Sequence, residues 1–191
     1  MTQVLERPPE FTEQERDVRE MREETRRVSP IYVNRSLVLL RIVVGLLFIG
    51  HAAQKLLGWF GGPGINGWME SIQKAGLEPV AFWAYLEAGG ELFAGALLVL
   101  GLLTPLAAAF LVGDMAFATI KIHAAKGLWN QNGGFEYNLV LIALLLVVGL
   151  VGPGMYSFDR RLPFAMPRPH TFIAALVITA LVIGYALVSS G

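Results

Sequence analysis

The chain has 191 residues, of which 54% are hydrophobic and 16% are charged, and its 15 basic side chains balance its 15 acidic ones. This composition is too apolar for an ordinary soluble domain and indicates an integral membrane protein. The chain has no cysteine, which excludes disulfides, thiolate zinc sites and iron–sulfur clusters held by this chain alone, so any electron transfer needs a bound cofactor or a partner.

The N-terminal segment is strongly charged. Eight acids and six bases lie between Glu6 and Arg27, and opposite charges four residues apart, such as Glu15 and Arg19, predict a solvated helix. The segment lacks the apolar core of a signal peptide, so we expect residues 1–34 to remain as a charged cytoplasmic tail. Docking of this helix on a partner or on the membrane surface is the alternative.

Five apolar segments have the length of a membrane span, for which a helix needs about 17 to 25 mostly apolar residues. We predict spans over residues 37–57, 80–103, 106–122, 135–151 and 171–188. The break at Thr104 and Pro105 is so short that the second and third spans must form an antiparallel hairpin. The predicted fold is an all-α membrane protein, with a four-helix transmembrane bundle over residues 35–162. Residues 163–191 form a linker and a fifth C-terminal transmembrane helix.

The connection between the first two spans contains an amphipathic pattern. Ile65, Trp68, Met69 and Ile72 repeat at helical spacing and predict a short helix at the outer interface that caps the bundle. Aromatic residues near the same ends of the spans predict an interfacial belt, namely Trp59, Phe60, Trp83, Tyr85 and Trp129. Aromatic side chains that admit a flat ligand to a pocket are the alternative.

The distribution of lysine and arginine predicts the orientation. With alternate crossings, ten arginines lie on the side of the N-terminus and four lysines on the opposite side. The positive-inside rule therefore places the N-terminus of this multi-pass protein in the cytoplasm.

Four charged residues interrupt the predicted spans: Arg41, Glu87, Glu91 and Asp114. A charge at bilayer depth is costly unless it is paired, so these side chains are expected to face the bundle interior. Glu87 and Glu91 are four residues apart and project from one face of the second span. We predict that Arg41 pairs with Asp114 or with Glu91. The cluster then forms a ligand, proton or redox site, and a network that only fixes helix pairing is the alternative.

Two histidines lie near the outer ends of the first and third spans. His51 and His123 could together ligate a haem, but hydrogen bonds to Glu136, Glu87 or interfacial water are the commoner arrangement and are preferred here. A histidine and carboxylates beside aromatic rings could instead bind and protonate a quinone head group. His51, His123 and Glu87 are therefore the candidates for cofactor binding, and the cofactor itself stays open.

Several separate segments resemble the DoxX family. The stretches GLLF, HAAQK and GWFGG that follow Arg41 resemble its first helix and loop, and EAGGELFAGALLVLG at residues 87–101 resembles its second helix. The stretches GGFEY, GPG and SFD between residues 133 and 159 resemble its fourth helix and the loop behind it. The resemblance covers residues 35–159, and its specificity comes from the agreement of several segments in order.

The resemblance implies a four-helix bundle in a bacterial plasma membrane. Relatives are described as candidate oxidoreductases, as the membrane part of thiosulfate:quinone oxidoreductase, and as a membrane anchor assembled with superoxide dismutase and a sulfurtransferase. Carried over by position, without a role for any, the matching polar residues are Arg41, His51, Gln54, Lys55, Glu87, Glu91, His123 and Glu136. With Asp114 they make up the predicted buried polar network, in which we assign no catalytic residue and no metal ligand.

Three functions follow as hypotheses. The leading one is an integral plasma-membrane subunit of an oxidoreductase system that passes electrons from a soluble sulfur or oxygen redox partner to quinone. A non-catalytic anchor for soluble redox proteins and a carrier of small solutes or protons are the alternatives. The expected partners are membrane lipid and soluble redox proteins; nucleic acid is not expected, and a homo-oligomer is left open.

Overall fold

The computed structural model describes residues 12–162 and 169–189, and over these ranges it contains helices and no strand. Residues 1–11 of the predicted tail and residues 163–168 of the predicted linker lie outside the described residues. The main helices are α1 (Glu13–Leu57), α2 (Gly64–Lys74), α3 (Val80–Leu100), α4 (Thr104–Ala118), α5 (Glu136–Val151) and α6 (His170–Ser189). The prediction of an all-α membrane protein is confirmed.

Within residues 12–162 and 169–189, four helical segments are long and apolar enough to cross a membrane: Ile31–Leu57, Val80–Leu100, Thr104–Lys126 and His170–Val188. The prediction that all five apolar segments are long enough is wrong for the fourth. Helix α5 has 16 residues and a length of about 24 Å, which is less than the hydrocarbon thickness of about 30 Å. It is short because the chain leaves the helical conformation at Phe135 on one side and at Gly152, with φ of 89°, on the other.

Helix α1 has 45 residues and continues without a break from the charged tail into the first span. Its start is fixed by a capping box, in which the Thr12 side chain accepts the Glu15 N–H and the Glu15 carboxylate accepts the Thr12 N–H. Its end is fixed by Gly58, whose φ of 71° is left-handed and suits glycine. The predicted tail helix is therefore the first part of one long helix.

Helices α1 and α3 pack closely because glycines face each other. A Cβ atom added at Gly45 would lie 2.6 Å from the carbonyl oxygen of Gly95, and one added at Gly95 would lie 2.8 Å from the carbonyl oxygen of Gly45. Such contacts let two backbones approach where lipid supplies no hydrophobic driving force. The core beside this crossing is apolar and includes Phe48, Leu98 and Leu111, all fully buried.

The other helices complete the bundle around α4. Helices α3 and α4 form the predicted hairpin, in which Leu103 takes a left-handed φ of 49° before α4 begins. Helix α6 packs against α4 where Thr179 fits over Gly113, and it packs against α5 where Phe172 fits over Gly149. The C-terminal helix is thus part of the packed structure.

The predicted capping helix is α2, and its apolar side faces the bundle as expected. Ile72 is buried with Ala84 of α3 and Ala186 of α6, and Trp68 packs against this group. The predicted belt residues Trp59, Phe60, Tyr85 and Trp129 are exposed, which fits an interfacial position.

Candidate functional site

Glu87 and Glu91 lie on the face of α3 that points into the bundle, as the four-residue spacing predicted. Glu91 is completely buried and Glu87 is largely buried. Asp114 on α4 approaches them, so that one carboxylate oxygen from each of the three residues lies within 4.8 Å of the other two. The helices α3 and α4 therefore build one cluster of three acids.

The cation of this cluster is Lys55, near the end of α1. Its ammonium forms an ion pair and hydrogen bond with Oε1 of Glu87, and it lies 2.9 Å from Oε2 of Glu91. We refer to Lys55, Glu87, Glu91 and Asp114 as the carboxylate–lysine cluster. Lys55 was expected in the buried polar network, but it was not expected to be the partner of these acids.

The prediction that Arg41 pairs with Asp114 or with Glu91 is wrong. Arg41 is buried, but Nη2 of its guanidinium donates a hydrogen bond of 2.7 Å to the carbonyl oxygen of Tyr156, in the loop after α5. The reason is that helical side chains lean toward the N-terminus of their helix. Lys55 therefore reaches from the end of α1 down toward the acids, while Arg41 reaches away from them.

Asp159 is the carboxylate that attracts Arg41, and the sequence analysis assigned it no role. Its two carboxylate oxygens accept the backbone N–H groups of Leu103 and Thr104, at 2.6 and 3.0 Å. A carboxylate at the N-terminus of α4 satisfies amides that lack helical partners and suits the helix dipole. No local pattern marks this role, because the loop meets α4 only in the folded chain.

The carboxylate–lysine cluster is short of positive charge and of hydrogen-bond donors. Buried oxygens of all three acids lack a hydrogen-bond partner, among them Oε2 of Glu87, Oε1 of Glu91 and Oδ2 of Asp114. Lys55 supplies one positive charge for three carboxyl groups, so electrical balance requires two further positive charges, carried by protons or by a bound cation. Buried oxygens of this kind call for a donor, which is either the O–H of a neighbouring protonated carboxyl group or a bound ligand.

The three acids also have the ligand chemistry of a hard metal ion, although the sequence analysis assigned no metal ligand. Carboxylate oxygens suit Mg²⁺, Ca²⁺ or Mn²⁺. The ammonium of Lys55 already contacts two of the three acids, so a metal would have to displace it. Proton exchange or a hydrogen-bonding ligand therefore fits the cluster better than a metal ion.

Trp68 of α2 covers the ammonium of Lys55. The Lys55 Nζ atom lies 4.3 Å from the centre of the Trp68 ring, within the range of a cation–π interaction. The helical repeat predicted Trp68 to belong to the apolar side of a capping helix, and its contact with a charge was not predicted. The capping helix thus covers the cluster at the end of the bundle where α1 ends.

A cavity of about 390 Å³ adjoins the cluster on its other side. Its size falls in the usual range of small-molecule sites, about 300 to 1,000 Å³. Glu87 and Asp114 are the charged residues in its wall. The rest of the wall is almost entirely apolar and comes from the segment around α2 and from α3, α4 and α6: Ile72, Leu77, Trp83, Leu86, Phe110, Gly113, Phe117, Ile178, Thr179, Val182, Ile183 and Ala186.

The remaining predicted network residues lie around the cluster rather than in it. The His51 ring lies against Phe48 and Tyr137, with ring centres 6.1 and 5.9 Å apart. Gln54 packs under the loop after α1, where a Cβ added at Gly62 would lie 2.5 Å from the Cβ of Gln54.

His123 and Glu136 form hydrogen bonds with the backbone of the loop between α4 and α5. Nδ1 of His123 is 2.6 Å from the carbonyl oxygen of Gly133, so the expected bond to Glu136 or Glu87 is replaced by one to the backbone. The Glu136 carboxylate accepts the N–H of Asn130 at 3.1 Å. The two histidines of the haem hypothesis thus have different surroundings, and the cavity is lined by neither.

A family model described as DoxX matches residues 36–124. The uncharacterized membrane protein Rv3486 of Mycobacterium tuberculosis is 31% identical over 138 residues, which cover 66% of this chain and 81% of that protein. The inner membrane protein YphA of Escherichia coli is 28% identical over 134 residues, which cover 65% of this chain and 89% of that protein. No solved structure matches the chain.

Proposed function

The chain belongs to the DoxX family of membrane proteins, and from that premise we propose that it is the membrane subunit of an oxidoreductase system and binds quinone in the cavity beside Glu87 and Asp114. One observation carries the proposal: an apolar cavity ends at buried carboxylate oxygens that have no hydrogen-bond partner. A lipid-soluble molecule with a polar head fits both parts of this site. A soluble polar substrate would leave the apolar walls unused.

The residues in the wall fit a quinone head group. The rings of Trp83, Phe110 and Phe117 line the cavity and provide flat apolar surface. The hydroxyl groups of a quinol would donate hydrogen bonds to carboxylate oxygens of Glu87 and Asp114. The carbonyl groups of the oxidised form would accept hydrogen bonds from the same groups when these carry protons.

The bound quinone would supply the redox chemistry, since it takes up two electrons and two protons to become quinol. The electrons would come from a soluble partner that oxidises a sulfur compound, such as two thiosulfate anions that join as tetrathionate and release two electrons. Glu87 and Asp114 would pass the two protons to the head group as general acids. Lys55 would hold the acids in place, and Trp68 on α2 would shield its ammonium.

The orientation and the tail complete the proposal. We place the N-terminus in the cytoplasm because arginines gather on its side of the membrane. For the alternative function of a membrane anchor, we propose that residues 1–34 act as a docking segment for soluble redox proteins. The continuous helix α1 supports this docking role, because it runs from Glu13 into the first span without a break. A partner bound to the tail would therefore be held rigidly over the bundle.

Quinone reduction by purified protein tests the proposal. The chain, isolated in mild detergent together with the soluble fraction that holds its redox partner, is mixed with thiosulfate and a soluble quinone, and the absorbance of the quinone is followed. Glu87→Gln should lower the rate by about a hundredfold, because general acid catalysis contributes at least that much. Glu70→Gln, on the exposed side of α2, is the matched control and should leave the rate unchanged.

Two results would contradict the proposal. One is the absence of bound quinone after gentle extraction, measured by mass spectrometry of the retained lipids. The other is an unchanged reduction rate in Glu87→Gln at unchanged thermal stability. Partner binding without any quinone would instead identify a membrane anchor.

A carrier of protons is the second candidate, and the charge deficit of the carboxylate–lysine cluster favours it. Its test is proton flux into proteoliposomes that contain the chain alone. Flux that falls in Asp114→Asn, with no redox partner present, would support the carrier. Flux at the level of empty liposomes would exclude it.

A further inference from the structure

A second site lies at the opposite end of the bundle, where the chain holds a buried arginine. Arg41 is 1% exposed, and only Nη2 has a hydrogen-bond partner among the described residues. Its Nε and Nη1 are buried and unpartnered. A buried guanidinium with free N–H groups is costly, so these groups indicate a missing acceptor.

Arg41 lines a cavity of about 510 Å³ between α1, the end of α3 and the loop after α5. Two more cations, Arg160 and Arg161, line the same cavity. The carboxylate that attracts Arg41 is Asp159, and both of its oxygens already accept backbone N–H groups at the start of α4. Among the described residues, three guanidinium groups and one carboxylate therefore lie at this cavity, and their net charge is positive.

The residues around the three arginines indicate which kind of anion this cavity binds. The cavity has apolar walls beside the arginines, formed by Val38, Val99 and Leu100. A neighbouring cavity of about 510 Å³ shares Met155 and Arg160 with it and continues along apolar side chains of α1 and α5. A charged head group with attached hydrocarbon fits this combination, whereas a free inorganic anion would leave the apolar surface uncovered.

We propose that Arg41, Arg160 and Arg161 bind the phosphate of an anionic phospholipid at the end of the bundle that carries the arginine-rich loop. Arginine binds phosphate oxygens through paired N–H groups, and basic pockets between transmembrane helices recognise lipid head groups. The acyl chains lie along Val33, Leu37 and Val151 in the neighbouring cavity. This lipid site is separate from the quinone cavity and does not depend on it.

Lipid retention measured by native mass spectrometry tests the site. The full chain is stripped of lipid in detergent and then mixed with micelles of phosphatidylglycerol, of phosphatidylcholine, or with inorganic phosphate alone. We expect one phosphatidylglycerol to remain bound to each chain and little phosphatidylcholine. Arg160→Gln with Arg161→Gln should weaken phosphatidylglycerol binding about tenfold or more, since each basic residue near a membrane surface contributes about 1 kcal/mol.

The variants are chosen so that folding does not decide the result. Arg160 and Arg161 are exposed, so their substitution should leave the bundle folded, as a thermal melt in detergent would verify. Arg16→Gln with Lys74→Gln removes two exposed cations elsewhere and should bind lipid as the parent chain does. Glu87→Gln should also leave lipid retention unchanged, which separates this site from the proposed function.

Three results would overturn the proposal. Equal retention of phosphatidylglycerol by the parent chain and the double arginine variant would show that Arg160 and Arg161 do not bind the lipid. Equal retention of phosphatidylcholine would show that the negative charge of the lipid does not contribute to binding. Displacement of the lipid by millimolar inorganic phosphate would assign the site to a soluble anion.

Discussion

The ammonium of Lys55 on α1 lies 2.9 Å from the carboxylate of Glu91 on α3, inside the bundle and under the Trp68 ring. The pair joins two helices whose backbones touch through glycines at Gly45 and Gly95. Because Lys55 pairs with Glu87 and Glu91 and is the one described cation beside three acids, the same contact that fixes the helices leaves acidic groups available at the cavity wall. Packing and the proposed chemistry are therefore coupled through Lys55.

Lys55→Met should strongly destabilise the bundle. It leaves three carboxyl groups without a cation, and removal of one partner from a buried pair costs about 3 to 5 kcal/mol. Unfolding in a graded detergent series measures the loss. Lys74→Met, an exposed lysine on α2, is the control. The double variant Lys55→Met with Glu91→Gln should recover part of the stability, and a simple sum of the two single losses would argue against their pairing.

Gly45→Ala should separate α1 from α3. The new Cβ would lie 2.6 Å from the carbonyl oxygen of Gly95, and such overpacking costs about 1 to 3 kcal/mol. Gly50→Ala on the same helix is a matched control, because nothing lies within 4 Å of its Cβ position. A thermal melt should distinguish the two variants. If both melt at the temperature of the parent chain, the close crossing at Gly45 is not present in the folded protein.

Gly113→Ala should change the wall of the cavity beside α6. Its Cβ would lie 2.0 Å from Cγ2 of Thr179, so the Thr179 side chain must change rotamer or α6 must move away from α4, and either change alters the cavity wall. If the altered wall costs about 1 kcal/mol in the quinone-bound state, the affinity for quinone falls roughly fivefold. A quinone titration followed by fluorescence quenching would detect this loss. Gly184→Ala, whose Cβ would meet nothing within 4 Å, should bind quinone normally. Normal binding by both variants would show that α6 does not line the site.

Asp159→Ala should loosen the end of the bundle opposite the cluster. The variant removes two hydrogen bonds to the start of α4 and the acid that attracts Arg41. Loss of a helix cap alone costs about 1 to 2 kcal/mol. Asp17→Ala, exposed on the tail part of α1, is the control. Hydrogen exchange at the first amides of α4 gives the local readout, and unchanged protection there would contradict the capping role.

The sequence was sufficient to predict the helices because apolar length and glycine or proline breaks determine them. It also placed α2 correctly, since Ile65, Trp68, Met69 and Ile72 have one phase on a helix. The predicted fourth span, 135–151, agrees with α5 to within one residue, so the error lay in taking a helix of this length as long enough to cross a membrane.

The site was predicted in part. The burial of Glu87 and Glu91 could be predicted from the cost of placing a charge in a membrane. Whether Arg41 or Lys55 pairs with these acids could not be predicted, because it depends on the direction in which each long side chain leans. Asp159 was missed because it meets α4 only through tertiary contacts. The contribution of α6 was missed because that helix is apolar on every side, so no pattern marks the face that lines the cavity.

Photolabelling with an azido-quinone tests the central claim most directly, since it reports where a quinone binds without requiring the electron donor. The chain in native membrane vesicles is labelled, digested and mapped by mass spectrometry. The account predicts labelled peptides from α3, α4 and α6, near Glu87, Asp114 and Ile183, and competition by unlabelled quinone. Label confined to the surroundings of His51 and His123, or label that unlabelled quinone does not displace, would contradict it.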